Sequence, residues 1–221
     1  MRHFIALSPD PDVHAAEVGT RILGSLGNDV WLWSMRLTAA PQSSVTDWLN
    51  GDAAVGVSPV PAVAFGAATG ADDDSLEAAR VLGRWSHLWE VQSHVQYDSC
   101  PPDSSTALYR LGIVKRLPSL TPEAFSRHYL GTHAPLVVAT RPLFTRYVVN
   151  ISMSANDGWD AVNEQRFEDS ETWAAHDAAI LASKPEIRED LRRFVGAMVQ
   201  FAGHDRMTYS SDFDSPESER I

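Results

Sequence analysis

Two periodicities take turns along this chain. Residues 2–8 (RHFIALS) are apolar and β-compatible, and Pro9, Asp10 and Pro11 close the run. Ala15, Val18, Ile22 and Leu26 then recur at helical spacing up to Gly27-Asn28, which predicts a helix over 12–26. The segment 29–38 (DVWLWSMRLT) alternates, with Trp31, Trp33 and Met35 on one face and Leu32, Ser34 and Arg36 on the other, so it reads as a strand. A short helical piece is expected over 44–49, then a strand over 59–67. Its leading prolines, Pro59 and Pro61, place that strand at a sheet edge, since proline donates nothing to a ladder. Asp74 and Glu77 have the spacing of a helix-opening box, predicting a helix to about Trp85, and 86–97 alternates again as a strand.

Beyond a Pro/Ser-rich linker (DSCPPDSST, 98–106) the same succession returns. Strands are expected over 109–115, 143–151, 159–167 and 196–207, with helices over 122–130, 171–182 and 186–194. Each half therefore runs β, α, β, β, α, β, the order of a ferredoxin-like split βαβ arrangement. Such a sheet carries helices on one face and must bury the other. The expected fold class is α+β: two tandem ferredoxin-like units, 1–98 and 107–209, joined by a linker at 99–106 and packed sheet against sheet as an intrachain α+β barrel. The acidic, serine-rich tail at 210–221 is expected to be disordered. Five of the seven tryptophans fall in the first half, which gives that half the more structural character.

Composition narrows the function. With 44% hydrophobic and 21% charged residues, the 221-residue chain can bury a sizeable core. A net charge of −11 disfavours nucleic acid and anionic membrane surfaces as partners. Cys100 is the single cysteine, so neither an intrachain disulfide nor a Cys-rich zinc site can form. The N-terminal apolar run is too short for a signal peptide, and no stretch reaches the roughly 20 apolar residues of a membrane span. A cytoplasmic location is expected.

The chemistry concentrates in 121–136 (TPEAFSRHYLGTHAPL). Thr121, Pro122 and Glu123 start a helix, and Gly131 is the expected stop. Between them Phe125, His128, Tyr129 and Thr132 share one face, so His128 is expected to point inward. His133 lies beyond the stop, next to Pro135, so one regular helix does not place both imidazoles. Each histidine reads either as a buried group bonded to backbone or as a general acid or base suited to neutral pH. Metal ligation is disfavoured, because H-x4-H lacks the i, i+4 geometry of a helical zinc pair.

The run F-x-x-H-Y-x-x-x-H-A-P-L, Phe125 to Leu136, resembles the signature of the EthD-like family of the dimeric α+β barrel superfamily. The likeness extends through KRLPSLTPEAF (115–125) and RYVVN (146–150) and covers roughly 107–208. The first half matches only in the order of its elements, and His14 in its corresponding helix stands alone. The resemblance implies a ferredoxin-like fold, a small-molecule pocket and relatives that include cofactor-free monooxygenases, isomerases and enzymes that dehydrate or cleave aromatic compounds. The family usually pairs as homodimers; here one chain holds both halves, and a homodimer of that fused pair is an open alternative.

The candidate catalytic pair is His133 with His128. Tyr129, Arg146, Tyr147 and Asn150 are candidate substrate-binding residues; Tyr147 and Asn150 lie on opposite strand faces, so at most one of them points at a given pocket. His176 and Asp177 sit beside Trp173 and Ile180 at helical spacing and are weaker candidates. No phosphate loop, nucleophile elbow or nucleotide fingerprint is found, and no haem motif, although other tandem ferredoxin-like proteins bind haem through a histidine. The expected function is a lyase, isomerase or dehydratase without organic cofactor or metal, acting by histidine acid–base chemistry on a hydrophobic, oxygenated aromatic or ring-derived molecule. A cofactor-free monooxygenase and a non-catalytic binding protein are the alternatives.

Overall fold

The computed structural model describes residues 1–40, 57, 59–99, 107–140, 143–153, 158–183 and 185–210. The helix expected over 44–49, the linker with Cys100 and the tail from 211 lie outside the described residues. The chain divides into two compact units, one of Met1–Thr38, Val57–Gln92 and Gly203–Ile221, the other of Ala39–Gly56 and Ser93–Ala202.

In the first unit, β1 (Arg2–Ser8), a 3-10 turn (Pro11–His14), α1 (Ala16–Leu26), β2 (Trp31–Ala39), β3 (Val63–Thr69), α2 (Asp73–Leu82) and β4 (His87–Asp98) succeed one another. The antiparallel order is β4-β1-β3-β2. The helix expected to begin at residue 12 starts at Ala16. Asp10 caps the 3-10 turn, and Ala15, in an extended conformation, separates that turn from α1. β3 is not an edge strand. It lies between β1 and β2, because Pro59 and Pro61 precede the ladder and every residue from Val63 onward can pair on both sides. The cap of α2 is Asp72, which accepts from Ser75 N at 2.8 Å, and the helix ends at Leu82, short of Trp85. Ile22, Leu26, Leu32, Phe65 and Leu76 form the centre of this unit's core.

The second unit holds β5 (Leu108–Arg116), α3 (Pro122–His128), a π turn (Tyr129–His133), α4 (Ala134–Ala139), β6 (Arg146–Ser152), β7 (Ala161–Phe167), α5 (Ser170–Ser183), α6 (Pro185–Phe194) and β8 (Val195–Ser210). β7 pairs antiparallel with β5 on one side and β6 on the other. The division between units falls inside β4 and β8, at other positions than the expected 98 and 107. The β1 ladder along β4 ends at Val91, so the rest of that 12-residue strand outruns its partner. The second core is aromatic: Phe125, Phe144, Tyr147, Phe167, Trp173 and Phe194 are buried, with Phe167 and Trp173 stacked 5.7 Å apart at 10°. Among the described residues, no helix is long and apolar enough to cross a membrane.

Gly131 does not stop the helix, contrary to expectation. Thr121 caps α3 by accepting from Ala124 N at 3.2 Å, and the coil continues from Pro122 to Ala139. The expected break is absorbed as a π turn, in which Ala134 N bonds the carbonyl of Tyr129, five residues back. Pro135 then follows directly after the π turn, as the second residue of α4.

Candidate active site

The π turn decides how the two histidines meet. In an uninterrupted α-helix, positions five apart diverge by about 140°. The wider turn brings His128 and His133 onto one side, facing α6. That helix presents Ile187, Asp190, Leu191 and Phe194 at i, i+3, i+4 and i+7, and all four are buried. An acid thus occupies the apolar face of α6, and its carboxylate is divided between the imidazoles. Asp190 Oδ2 lies 2.9 Å from His133 Nδ1, and Oδ1 lies 2.8 Å from His128 Nε2. The Phe194 ring packs on both, with centroids 5.0 Å and 4.9 Å away.

A carboxylate buried without partners would be costly; here each oxygen has one. Burial pushes the Asp190 carboxyl up, but its hydrogen bonds to His133 and His128 outweigh this and hold it below the ordinary aspartate range. His133 is moved below the ordinary histidine value, chiefly by burial and against the pull of Asp190. It is therefore neutral at pH 7. With the Nδ1 proton donated to Asp190, its Nε2 carries the lone pair.

His133 lines a cavity of about 60 Å³ within the second unit, so Nε2 is the ring nitrogen left for that space. Beside it, Tyr129 Oη accepts from Asn163 Nδ2 at 2.9 Å, and the Tyr129 and Tyr147 hydroxyls are hydrogen-bonded to each other. Burial raises the pKa of both phenols, so both stay protonated; one of the two protons makes the bond between them and the other remains to be donated. Gly112, opposite Asn163 in the β5–β7 ladder, makes room for the amide: a Cβ there would stand 2.7 Å from Asn163 Oδ1.

The cavity has a second polar wall. Arg110 is buried and donates to Gln165 Oε1 through Nε (2.6 Å) and Nη2, and through Nη1 to Asp177 Oδ1 at 2.5 Å. Asp177 Oδ2 accepts from Trp173 Nε1 at 2.9 Å. His176 also lines the cavity, and burial, helped by the Arg110 charge, pushes its pKa down to about 3.

Of the residues expected from sequence, His133, Tyr129 and Tyr147 line the cavity, while His128 is tied to it through Asp190. Asn150 and Arg146 do not line it. Asn150 accepts from Ser93 Oγ at 2.6 Å and donates to Glu164 Oε1 at 3.3 Å, and Arg146 Nε lies 3.7 Å from Asp98. They occupy the strand face opposite Tyr147, which excludes them from this pocket. The residues that sequence reasoning missed are Asp190, Asn163, Arg110 and Gln165. Only Asp190 left a signal, as an acid in the apolar stripe of its helix. Among the described residues, no group of three or more His, Cys, Asp and Glu side chains is arranged to hold a metal ion.

No family model matches the sequence, and no curated protein does. Solved structures do. An anthrone oxidase-like protein superimposes over 96% of this chain and 92% of its own, at 13% identity and a TM-score of 0.58. A proposed monooxygenase from Lactobacillus acidophilus NCFM does so over 95% of both chains, at 7% identity and a TM-score of 0.51. An EthD-family protein from Bacillus halodurans C-125 aligns over 45% of this chain and 99% of its own, at 18% identity and a TM-score of 0.37. At these identities the likeness to the first two is one of fold, and the fold they share with this chain is α+β.

Proposed function

We propose that this chain consists of two tandem ferredoxin-like units, the second of EthD type, and that the second is a proton-abstracting enzyme. The observation that carries the reading is the His133–Asp190 pair. Asp190 fixes the imidazole by its Nδ1 proton and leaves a basic Nε2 for a cavity that Tyr129, Tyr147 and Arg110 also line. In the proposed reaction Nε2 removes a proton from a carbon or hydroxyl activated by a neighbouring carbonyl. The electron pair moves onto the substrate oxygen, which the O–H of the Tyr129–Tyr147 pair not spent on the other hydroxyl stabilises. Asp190 steadies the imidazolium that results. Return of the proton to another atom gives an isomerase; loss of a leaving group gives a lyase or dehydratase. No organic cofactor takes part. His128 acts as a positioning residue, holding the second oxygen of Asp190.

The cavity is small, about 60 Å³, so a β-dicarbonyl such as acetylacetone, like an aromatic ring, enters only as lining side chains swing aside. The test is deuterium exchange into acetylacetone and anthrone in D₂O, followed by NMR against the buffer rate. Wild-type protein should accelerate exchange, and His133→Ala should abolish the acceleration while leaving the fold intact. Full activity in that variant refutes the role.

A second reading is favoured by the names of the fold's neighbours, a monooxygenase and an anthrone oxidase-like protein. The same carbanion would react with O₂, turning a CH₂ group into a carbonyl and releasing the second oxygen atom as water. Oxygen uptake with anthrone that depends on His133 selects this outcome; exchange without uptake selects the first.

A further inference from the structure

The two polar walls of the cavity are neighbouring rows of one sheet. In the β5–β7 ladder Gly112 faces Asn163 and Arg110 faces Gln165, while in the β6–β7 ladder Tyr147 also faces Gln165. Asn163 and Gln165 lie two residues apart on the same strand face, a spacing of about 7 Å. Asn163 holds the Tyr129 hydroxyl, and Gln165 holds Arg110. A single small molecule can touch both walls.

Arg110 is not consumed by its partners. A guanidinium has five N–H groups, and Arg110 makes three hydrogen bonds among the described residues, two to Gln165 and one to Asp177. One N–H on each terminal nitrogen therefore has no partner among the described residues, and Arg110 lines the cavity. These are donors with a defined direction, because Gln165 and Asp177 fix the plane of the group and the rings of Phe167 and Trp173 lie under it.

An arginine with spare N–H groups usually suggests a carboxylate ligand. The charge balance argues otherwise. Arg110 is already paired with the carboxylate of Asp177, and Asp190 adds a second negative charge to the same site. His133 and His176 are neutral at pH 7 and compensate neither. Arg110, Asp177 and Asp190 thus sum to one negative charge before a ligand arrives, and a carboxylate would make it two in a poorly screened site. A neutral ligand that loses its proton to His133 leaves the sum unchanged.

We propose that the cavity takes a neutral molecule with two oxygen functions, a β-dicarbonyl or its enol, with one oxygen at the Tyr129 and Tyr147 hydroxyls and the other at the unpaired N–H edge of Arg110. This substrate class rests on the proton-abstraction reading of His133 and gives it a reason. The hydrogen between two carbonyls is the one removed, and the charge left behind spreads over both oxygens, each of which has donors.

The test compares two probes of nearly equal size, neutral acetylacetone and anionic acetoacetate, titrated at pH 7 into the full chain and followed by NMR. Acetylacetone should bind at least about tenfold more tightly than acetoacetate. Arg110→Lys keeps the ion pair with Asp177 but loses the planar edge, and it should weaken acetylacetone by at least about tenfold. His133→Ala should keep acetylacetone binding and lose exchange, which separates this proposal from the catalytic one. Tighter or equal binding of acetoacetate, unchanged affinity in Arg110→Lys, or no binding of acetylacetone overturns it; if Arg110→Lys fails to fold, the wild-type comparison decides alone.

Discussion

Acid should weaken this protein through His176, by an amount that can be worked out. The imidazole is 4% exposed, lies 5.4 Å and 5.5 Å from the Phe144 and Phe167 ring centroids, and shares its surroundings with the Arg110 charge. Its pKa in the fold is about 3, against about 6.5 when the chain is unfolded. Between these values the unfolded state takes up a proton that the folded state does not, so stability falls as pH falls from 6.5 toward 3. Between pH 7 and pH 5 the loss from this one group is about 2 kcal/mol, at about 1.4 kcal/mol per pH unit below 6.5. His176→Gln cannot titrate and should lack that share of the pH dependence. The assay is urea unfolding of both proteins at pH 7 and pH 5, followed by circular dichroism. At a slope of about 3 kcal/mol/M, the wild-type midpoint should drop by roughly 0.7 M more than that of the variant. Every other histidine is common to both, so the difference isolates His176. Equal pH dependence in the two proteins, or a His176 Cε1–H resonance that titrates near 6.5, would refute the reasoning.

Three further outcomes follow from the same site. Asp190→Asn removes the charge that steadies the His133 imidazolium, and the deuterium-exchange rate should fall on the order of 10²–10⁴-fold with little change in probe binding, as kinetics and titration together would show. The exchange rate against pH should rise along a limb centred below 6.5 and be flat at neutrality, because only the neutral form of His133 is a base and burial lowers its pKa; a limb at or above 6.5 would contradict this. Gly112→Ala places a methyl 2.7 Å from Asn163 Oδ1, displacing the amide from Tyr129, and should cost about 1–3 kcal/mol in urea unfolding while slowing exchange.

What the sequence could and could not disclose follows from the range of each signal. Strand alternation and helical spacing are local, and they located the described strands of both halves, and the helices other than α4, to within a few residues. Where neighbours decide, the local signal misled. Pro59 and Pro61 argue for an edge only if they stand inside the ladder, and they stand before it. Gly131 and Pro135 each argue for a helix stop, yet a π turn accommodates both, and Asp190 on α6 bonds the two imidazoles across it. The same holds for chemistry. A histidine is visible wherever it falls, so His133 and His128 stood out at once. Their partner did not, because an aspartate in an Arg/Glu-rich helix such as PEIREDLRRF looks solvated until its position in the buried stripe of Ile187, Leu191 and Phe194 is weighed. Arg110, Asn163 and Gln165 are less legible still. They lie on strands in which every residue from Leu108 to Val114 and from Ala161 to Phe167 is buried, so no alternation separates the cavity face from the other. Only the ladder register, in which Gly112 meets Asn163 and Arg110 meets Gln165, brings these polar side chains to one wall. The identity of a base was thus written locally, while the groups that orient it and receive its substrate were fixed by pairings between distant segments.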